Sequence, residues 1–322
     1  MASPSLIFGL LTLVLAAGLP SANAQTTSAP ERRLNSATLS RVSAAVAEGS
    51  LEDGSDILGK VTLPAKIRVL RDVAYGSDTL QHMDVYMPQS ATTNAPVLLM
   101  VHGGAWRGGD KAAQAVVENK AAYWVSKGWV LVSINYRLQP NSGPLEQLQD
   151  LVQALGMAQS MSGSWGADPG KFVLMGHSSG AHLVALLSAS PEMALSLGTR
   201  PWLGAVLLDS AALDVPALMR QRHLRLFDAA FSNDPEYWRV TSPVHQLNAS
   251  GPPVLLVCSM RRSNSCSQAE QFAAQVQQLK RSATVLHEEA NHRDINQTLG
   301  QPGPYTEEVN SFLTTVLRNA GS

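Results

Sequence analysis

An α/β fold with a mostly parallel sheet of about eight strands, covered by helices on both faces, is predicted by three features of this sequence. Several runs of five or six apolar residues, such as Pro96-Val97-Leu98-Leu99-Met100-Val101, have the length and continuity of strands buried on both faces. These runs alternate with longer segments whose apolar residues recur at helical spacing. The chain of 322 residues, 45% hydrophobic and 15% charged, is long enough to close one large core of this kind.

In chain order, Leu6 to Leu19 form an apolar run broken only by Gly and Thr, and Ala22-Asn23-Ala24 follows as a small-residue cleavage pattern. This reads as a signal peptide over residues 1–24, although no Lys or Arg precedes the run. The run is too short to span a membrane, so no span is expected in the mature form. The expected location is secreted or periplasmic, after cleavage near Ala24. Residues 25–60 are rich in Ser and Ala and read as an arm or linker, with room for one helix at 39–48. The catalytic domain is expected over 61–322. Two strands around Ile67–Leu70 and Met83–Tyr86 flank a Gly-Ser-Asp turn. The strand ending at Val101 runs into His102-Gly103-Gly104-Ala105-Trp106. A helix over 112–127 follows and stops at Gly128, and then a strand, Trp129–Ile134. Leu145, Leu148, Leu151, Val152 and Leu155 mark an amphipathic helix. Trp165 to Gly170 reads as a loop. Beyond it lie a strand at 172–175, a helix from Ala181, and a strand at 205–208 ending in Asp209. A small insertion after this sixth strand, from Val215 to Leu247, is mixed and rich in Arg, His, Phe and Trp. The strand 253–258 leads to a helix with a Ser267/Glu270 capping box, a last strand at 284–287, and a closing helix at 309–317.

The junction Gly176-His177-Ser178-Ser179-Gly180 fits G-x-S-x-G, with a strand before it and a helix after it. So abrupt a turn strains the backbone at Ser178 and lifts its hydroxyl clear of the sheet edge. The strand, H-G-G-A-W, strand, G-H-S-S-G-A-H-L, helix and late His, in that order, resemble the α/β-hydrolase fold. The likeness is to the branch of hormone-sensitive-lipase-like esterases and kynurenine-formamidase-like hydrolases, in element order from about Ile67 to Leu317. The resemblance implies a carboxylic-ester hydrolase that uses Ser178 as nucleophile and no cofactor. It also implies an oxyanion hole from the backbone N–H groups of Gly103, Gly104 and Ser179, where fixed dipoles meet the charge that acyl transfer builds.

A serine hydroxyl needs a base. Of the eight histidines, His292 lies in a polar loop between the last strand and the closing helix, where the fold places that base. His102 reads as a structural residue of its loop. His177 and His182 read as packing or capping residues. For the acid, the fold usually draws an Asp from the loop after the strand ending at Val257. Here that loop is Ser259-Met260-Arg261-Arg262-Ser263-Asn264-Ser265-Cys266, with no carboxylate. Asp209 and Asn264 therefore compete, with Asp209 ahead because a carboxylate stabilises an imidazolium by charge. Asp214 and Glu270 rank below both. Trp106, Trp238 and Phe231 read as pocket lining or plain core.

The two cysteines, Cys258 and Cys266, are expected to form a disulfide in an exported chain. No Cys/His spacing of metal type occurs, so no metal site is expected. A net charge of −1 without a basic stripe speaks against nucleic acid. The expected partner is a small ester. An arylformamidase-like amide hydrolase and a catalytically inactive hydrolase fold used for binding are the alternatives.

Overall fold

The computed structural model describes residues 60–210, 212–262 and 264–321. The signal peptide, most of the arm and its helix at 39–48 lie outside these residues. Eight strands form one sheet: β1 (Ile67–Ala74), β2 (His82–Pro88), β3 (Ala95–Val101), β4 (Val130–Ile134), β5 (Ala167–His177), β6 (Gly204–Leu208), β7 (Val254–Ser259) and β8 (Ala283–Glu288). Their spatial order is β1-β2-β4-β3-β5-β6-β7-β8. β2 pairs antiparallel with β1 and with β4, and every pair from β4 to β8 is parallel. The expected eight-stranded α/β-hydrolase sheet is therefore present.

The helices among the described residues are α1 (Gln114–Trp124), α2 (Pro144–Met161), α3 (Ser179–Ala189), α4 (Glu192–Ser196), α5 (Val215–Met219), α6 (Arg225–Phe231), α7 (Pro235–Val240), α8 (Pro243–Gln246), α9 (Ser265–Gln278), α10 (His292–Gln297) and α11 (Pro304–Ala320). The strand alternation sorts the core into two layers. Val97, Leu99 and Val101 of β3 face α2, α3, the insertion and α9. Leu98 and Met100 face α1, α10 and α11. All five are fully buried, as a strand without polar alternation requires. The insertion is the four short helices α5 to α8, within the expected bounds.

Three boundaries differ from the sequence reading. β5 starts at Ala167 because Ala167 pairs with Ala95, so most of the expected loop 165–170 is strand. His292 opens the short helix α10 rather than lying in a loop. Asn291 caps that helix, its side chain accepting from Asp294 N at 2.8 Å. The Ser267/Glu270 capping box does not form. α9 begins three residues earlier, with Asn264 rather than Ser267 at the cap position, Ser267 Oγ donates to Asn264 O at 3.3 Å, and Glu270 pairs with His287 at 2.7 Å.

Strand order decides where a site can lie. The chain winds outward in opposite directions from β3 and β5, which lie side by side, and a crevice opens at their carboxyl ends. In register, Val101 stands beside Gly176, His177 beside Leu208, Leu208 beside Val257, and Ser259 beside Glu288. His102, Ser178, Asp209 and the loop after Ser259 therefore leave the sheet along one edge. The Sγ atoms of Cys258 and Cys266 are bonded across that loop, as expected for the pair. No helix among the described residues is long and apolar enough to cross a membrane.

Candidate active site

Ser178 sits between β5 and α3 with φ 53° and ψ −118°, a conformation that non-glycine residues rarely adopt. Its N–H still donates to Leu208 O at 2.9 Å, and its carbonyl accepts from His182 N at 3.0 Å. The residue thus closes the ladder on one side and opens the helix on the other, which holds the strain in place. The flanking glycines are required by close approach. A Cβ on Gly176 would lie 2.3 Å from Gly180 O, and one on Gly180 would lie 2.3 Å from Val101 O. Ser178 is half-buried, and among the described residues its Oγ makes no hydrogen bond to His292.

Asp209 leaves β6 in the same way, with φ 53° and its N–H donating to Val257 O at 2.8 Å. Its carboxylate is fully buried, and the structure brings it to His292, with Nδ1 2.6 Å from Oδ2. A carboxylate partner fixes the imidazole tautomer with the proton on Nδ1, which leaves Nε2 as the acceptor. Three further donors hold the acid. Ser259 N donates to Oδ1 at 2.9 Å, Ser265 Oγ donates to the same oxygen, and Arg262 Nη1 donates to Oδ2 at 2.8 Å. Burial alone would raise the Asp209 pKa, but the His292 bond, the Arg262 charge and the Ser265 bond outweigh it. The carboxyl is held well below its usual range. Asn264, the rival for this role, is exposed and no bond joins it to His292. Asp214 instead caps α5, accepting from Ala217 N at 3.0 Å.

Burial pushes the His292 pKa down to about 4. The neighbouring His177 and Arg262 add to this, and the Asp209 bond opposes it. The His177 ring lies 4.5 Å from the His292 ring, and His177 Nε2 donates to His292 O at 3.0 Å. His177, which precedes Ser178, therefore anchors the start of α10 beside the turn. Lys120, buried on α1, holds the far end by donating from Nζ to Asn296 O at 2.6 Å.

The H-G-G-A-W segment follows β3. Gly104 has φ 121°, and a Cβ there would lie 2.4 Å from Gly108 O, so only glycine fits the turn. Ala105 and Trp106 also have positive φ, 54° and 59°. His102 is fully buried. Its Nδ1 donates to Gly103 O at 2.7 Å, its ring stacks on Tyr136, and its carbonyl accepts from Tyr136 Oη at 2.9 Å. These contacts fit the structural part expected of it. Ser179 opens α3, so its N–H has no acceptor within the helix. Trp106, Phe231 and His182 pack together in the core. His182 accepts from Trp106 Nε1 and donates to Thr241 O at 2.8 Å, and burial lowers its pKa to about 4. Trp238 is partly buried and donates to Ser232 O at 3.0 Å.

Sequence reasoning did not identify the part of Ser259, Arg262 and Ser265. The available signal was the composition of their loop, which is rich in donors where the fold usually supplies the acid. The loop gives hydrogen bonds to a carboxylate that another strand brings.

Comparison with known proteins is consistent with this geometry. The family model BD-FAE matches residues 83–199, which include both glycine motifs. Esterase LipC of Mycobacterium tuberculosis is 29% identical over 271 residues, covering 77% of this chain and 66% of LipC. The probable isoprenylcysteine alpha-carbonyl methylesterase ICME of Oryza sativa subsp. japonica is 33% identical over 118 residues, 37% of this chain and 28% of ICME. The matches thus span less than two thirds of these relatives' lengths. Among solved structures, esterase B from Lactobacillus rhamnosis superposes with a TM-score of 0.68 at 18% identity, covering 88% of this chain and 96% of that one. A truncated carbohydrate esterase from gut microbiota gives a TM-score of 0.67 at 18% identity, covering 77% and 96%. The fold of these structures is the fold of this chain.

Proposed function

We propose that this chain, an α/β hydrolase of the serine-esterase kind, cleaves small carboxylic esters through an acyl-enzyme on Ser178. The observation that carries this reading is the buried His292–Asp209 contact of 2.6 Å, which leaves Nε2 unprotonated on the edge where Ser178 turns. In this mechanism Ser178 Oγ attacks the ester carbonyl while its proton passes to Nε2. The carbonyl oxygen takes the negative charge and is met by N–H groups of Gly103, Gly104 and Ser179, each such donor being worth about 3–4 kcal/mol. The C–O bond breaks, the imidazolium returns its proton to the departing alcohol, and Asp209 stabilises the imidazolium in between. Water, deprotonated by His292, then attacks the acyl carbon, the bond to Ser178 Oγ breaks, and the imidazolium returns the proton to Oγ as the acid leaves. No cofactor or metal enters.

The reading of the chain as an inactive binding protein rested on the missing acid after β7. The contact of Asp209 with His292 supports the active reading instead. We further propose that the protein is exported, on the strength of the N-terminal pattern and the Cys258–Cys266 pair. The function is tested by incubating the purified chain with p-nitrophenyl acetate and with a fluorophosphonate probe. Turnover together with labelling at Ser178 is expected. Absence of both would reject the proposal, and turnover of an N-formyl anilide in preference to the ester would favour the amide-hydrolase alternative.

A further inference from the structure

A cavity of about 410 Å³ lies between the insertion and the loop that supports Asp209. Its size is in the range of small-molecule sites. One side is apolar, made by Leu218, Leu224 and Phe227, and Leu224 is 50% exposed although it is a large hydrophobic residue. The other side carries three guanidinium groups, from Arg222, Arg261 and Arg262, and no carboxylate is part of the lining. Arg262 is engaged with Asp209. Arg222 and Arg261 make no salt bridge among the described residues. The nearby Asp228 is occupied by His223, 2.9 Å away. Two cations that meet no protein anion thus converge on a concavity with an apolar wall, where field lines are focused.

We propose that this cavity binds an apolar molecule ending in a carboxylate, which Arg222 and Arg261 hold by charge-assisted hydrogen bonds while its body lies on Leu218, Leu224 and Phe227. The site adjoins the chemistry, because Arg262 and Ser265 line it and both donate to Asp209. Two sources supply this ligand chemistry: the free end of a substrate with a terminal carboxylate, or a separate carboxylic acid such as a reaction product. The first rests on the esterase reading, and the binding itself does not.

The experiment titrates 4-phenylbutyrate, with 4-phenylbutan-1-ol as neutral control, into the full chain carrying Ser178→Ala, by calorimetry. The carboxylate is expected to bind about tenfold tighter than the alcohol, and Arg222→Gln/Arg261→Gln is expected to remove that difference. Both arginines are exposed, so the double variant should fold normally. Equal affinity for acid and alcohol, or a preference that the double variant keeps, would overturn the proposal. With Ser178 intact, a kcat/KM for mono-p-nitrophenyl adipate above that for p-nitrophenyl hexanoate, lost in the double variant, assigns the site to the substrate's own carboxylate. Equal rates for the two esters, with p-nitrophenyl butyrate hydrolysis altered by added 4-phenylbutyrate, assign it to a separate ligand. Carboxylate binding without hydrolysis of any ester would reject the esterase reading and leave this site standing. Hydrolysis without carboxylate binding would do the reverse.

Discussion

Asp84 and Asp209 are both fully buried carboxylates on the same sheet, and each is held by an arginine. Asp84 lies inside β2, where Arg71 Nη1 at 2.6 Å, Lys111 Nζ at 2.7 Å and Asp72 N at 2.9 Å take up its oxygens. Asp209 lies just past the end of β6, at positive φ, and shares an oxygen between Arg262 and an imidazole. Burial and an ion pair are common to both. What separates them is a partner that changes charge and a position on the open edge of the sheet. A buried charge is therefore a weak sign of function here, and the company it keeps is the strong one.

The comparison can be broken or sharpened by substitution. Ser178→Ala is expected to remove hydrolysis almost entirely, a loss of about 10⁶-fold if the three residues act as a unit. The melting temperature should stay near wild type. Residual turnover within tenfold would place the nucleophile elsewhere. Asp209→Asn should lower kcat by about 10⁴-fold, because the amide neither fixes the tautomer nor stabilises the imidazolium. Asp84→Asn should do the opposite. It leaves Arg71 without its anion and Lys111 with Asp72 alone, 2.9 Å away, costing about 3–5 kcal/mol of stability in denaturant titration, with kcat per folded molecule little changed. If Asp84→Asn abolished turnover in folded protein, the distinction between the two carboxylates would fail.

Three smaller effects concern pH. In the proposed mechanism the base must be neutral to accept the Ser178 proton. With the His292 pKa lowered to about 4, the acid limb of kcat/KM should fall well below the ordinary histidine value of about 6.5. His182 and His292 are buried neutral, so the unfolded chain takes up protons between pH 6.5 and about 4 that the folded chain does not. Stability should therefore decline as pH falls through that window. Activity measured beside circular dichroism separates titration from unfolding. Arg262→Gln removes one of the charges that depress the His292 pKa and should move the acid limb upward, by up to about one pH unit. An unchanged limb would show that Arg262 acts only as scaffolding.

The parts of the site that lie close in sequence were legible. G-H-S-S-G was readable because a strand-to-helix turn needs Gly176 and Gly180 for contacts that a Cβ would prevent, and the flanking apolar runs supplied the elements. His292 was readable from its place after the last strand, but its helix was not, because six residues show too little periodicity. The contact between Asp209 and His292 depended on the register of β6 against β5 and β7, which no local pattern encodes, and Asp209 was preferred for its charge and its place at the end of a strand. The capping box failed for a related reason. Ser267 and Glu270 fit the motif, but Ser265 starts the helix and sends its hydroxyl to Asp209, while Glu270 reaches His287 across to β8. Asn248 and Asn296 match the glycosylation pattern, yet Asn296 is fully buried, as sequence alone does not disclose.

The bond between Cys258 and Cys266 encloses Ser259, Arg262 and Ser265, so the covalent ring contains, among the described residues, every donor to the Asp209 carboxylate other than His292. It follows that oxidation completes a supporting frame for the acid as well as tying down a loop. A newly made chain kept in a reducing cytosol would assemble its sheet and helices yet hold Asp209 loosely, and would gain full turnover only on meeting an oxidant. For the exported protein proposed above, maturation would then be a timing device, silent where it is synthesised and competent where it is delivered. Refolded protein assayed before and after air oxidation, with Cys258→Ser/Cys266→Ser as the permanently open control, would show that gain in kcat.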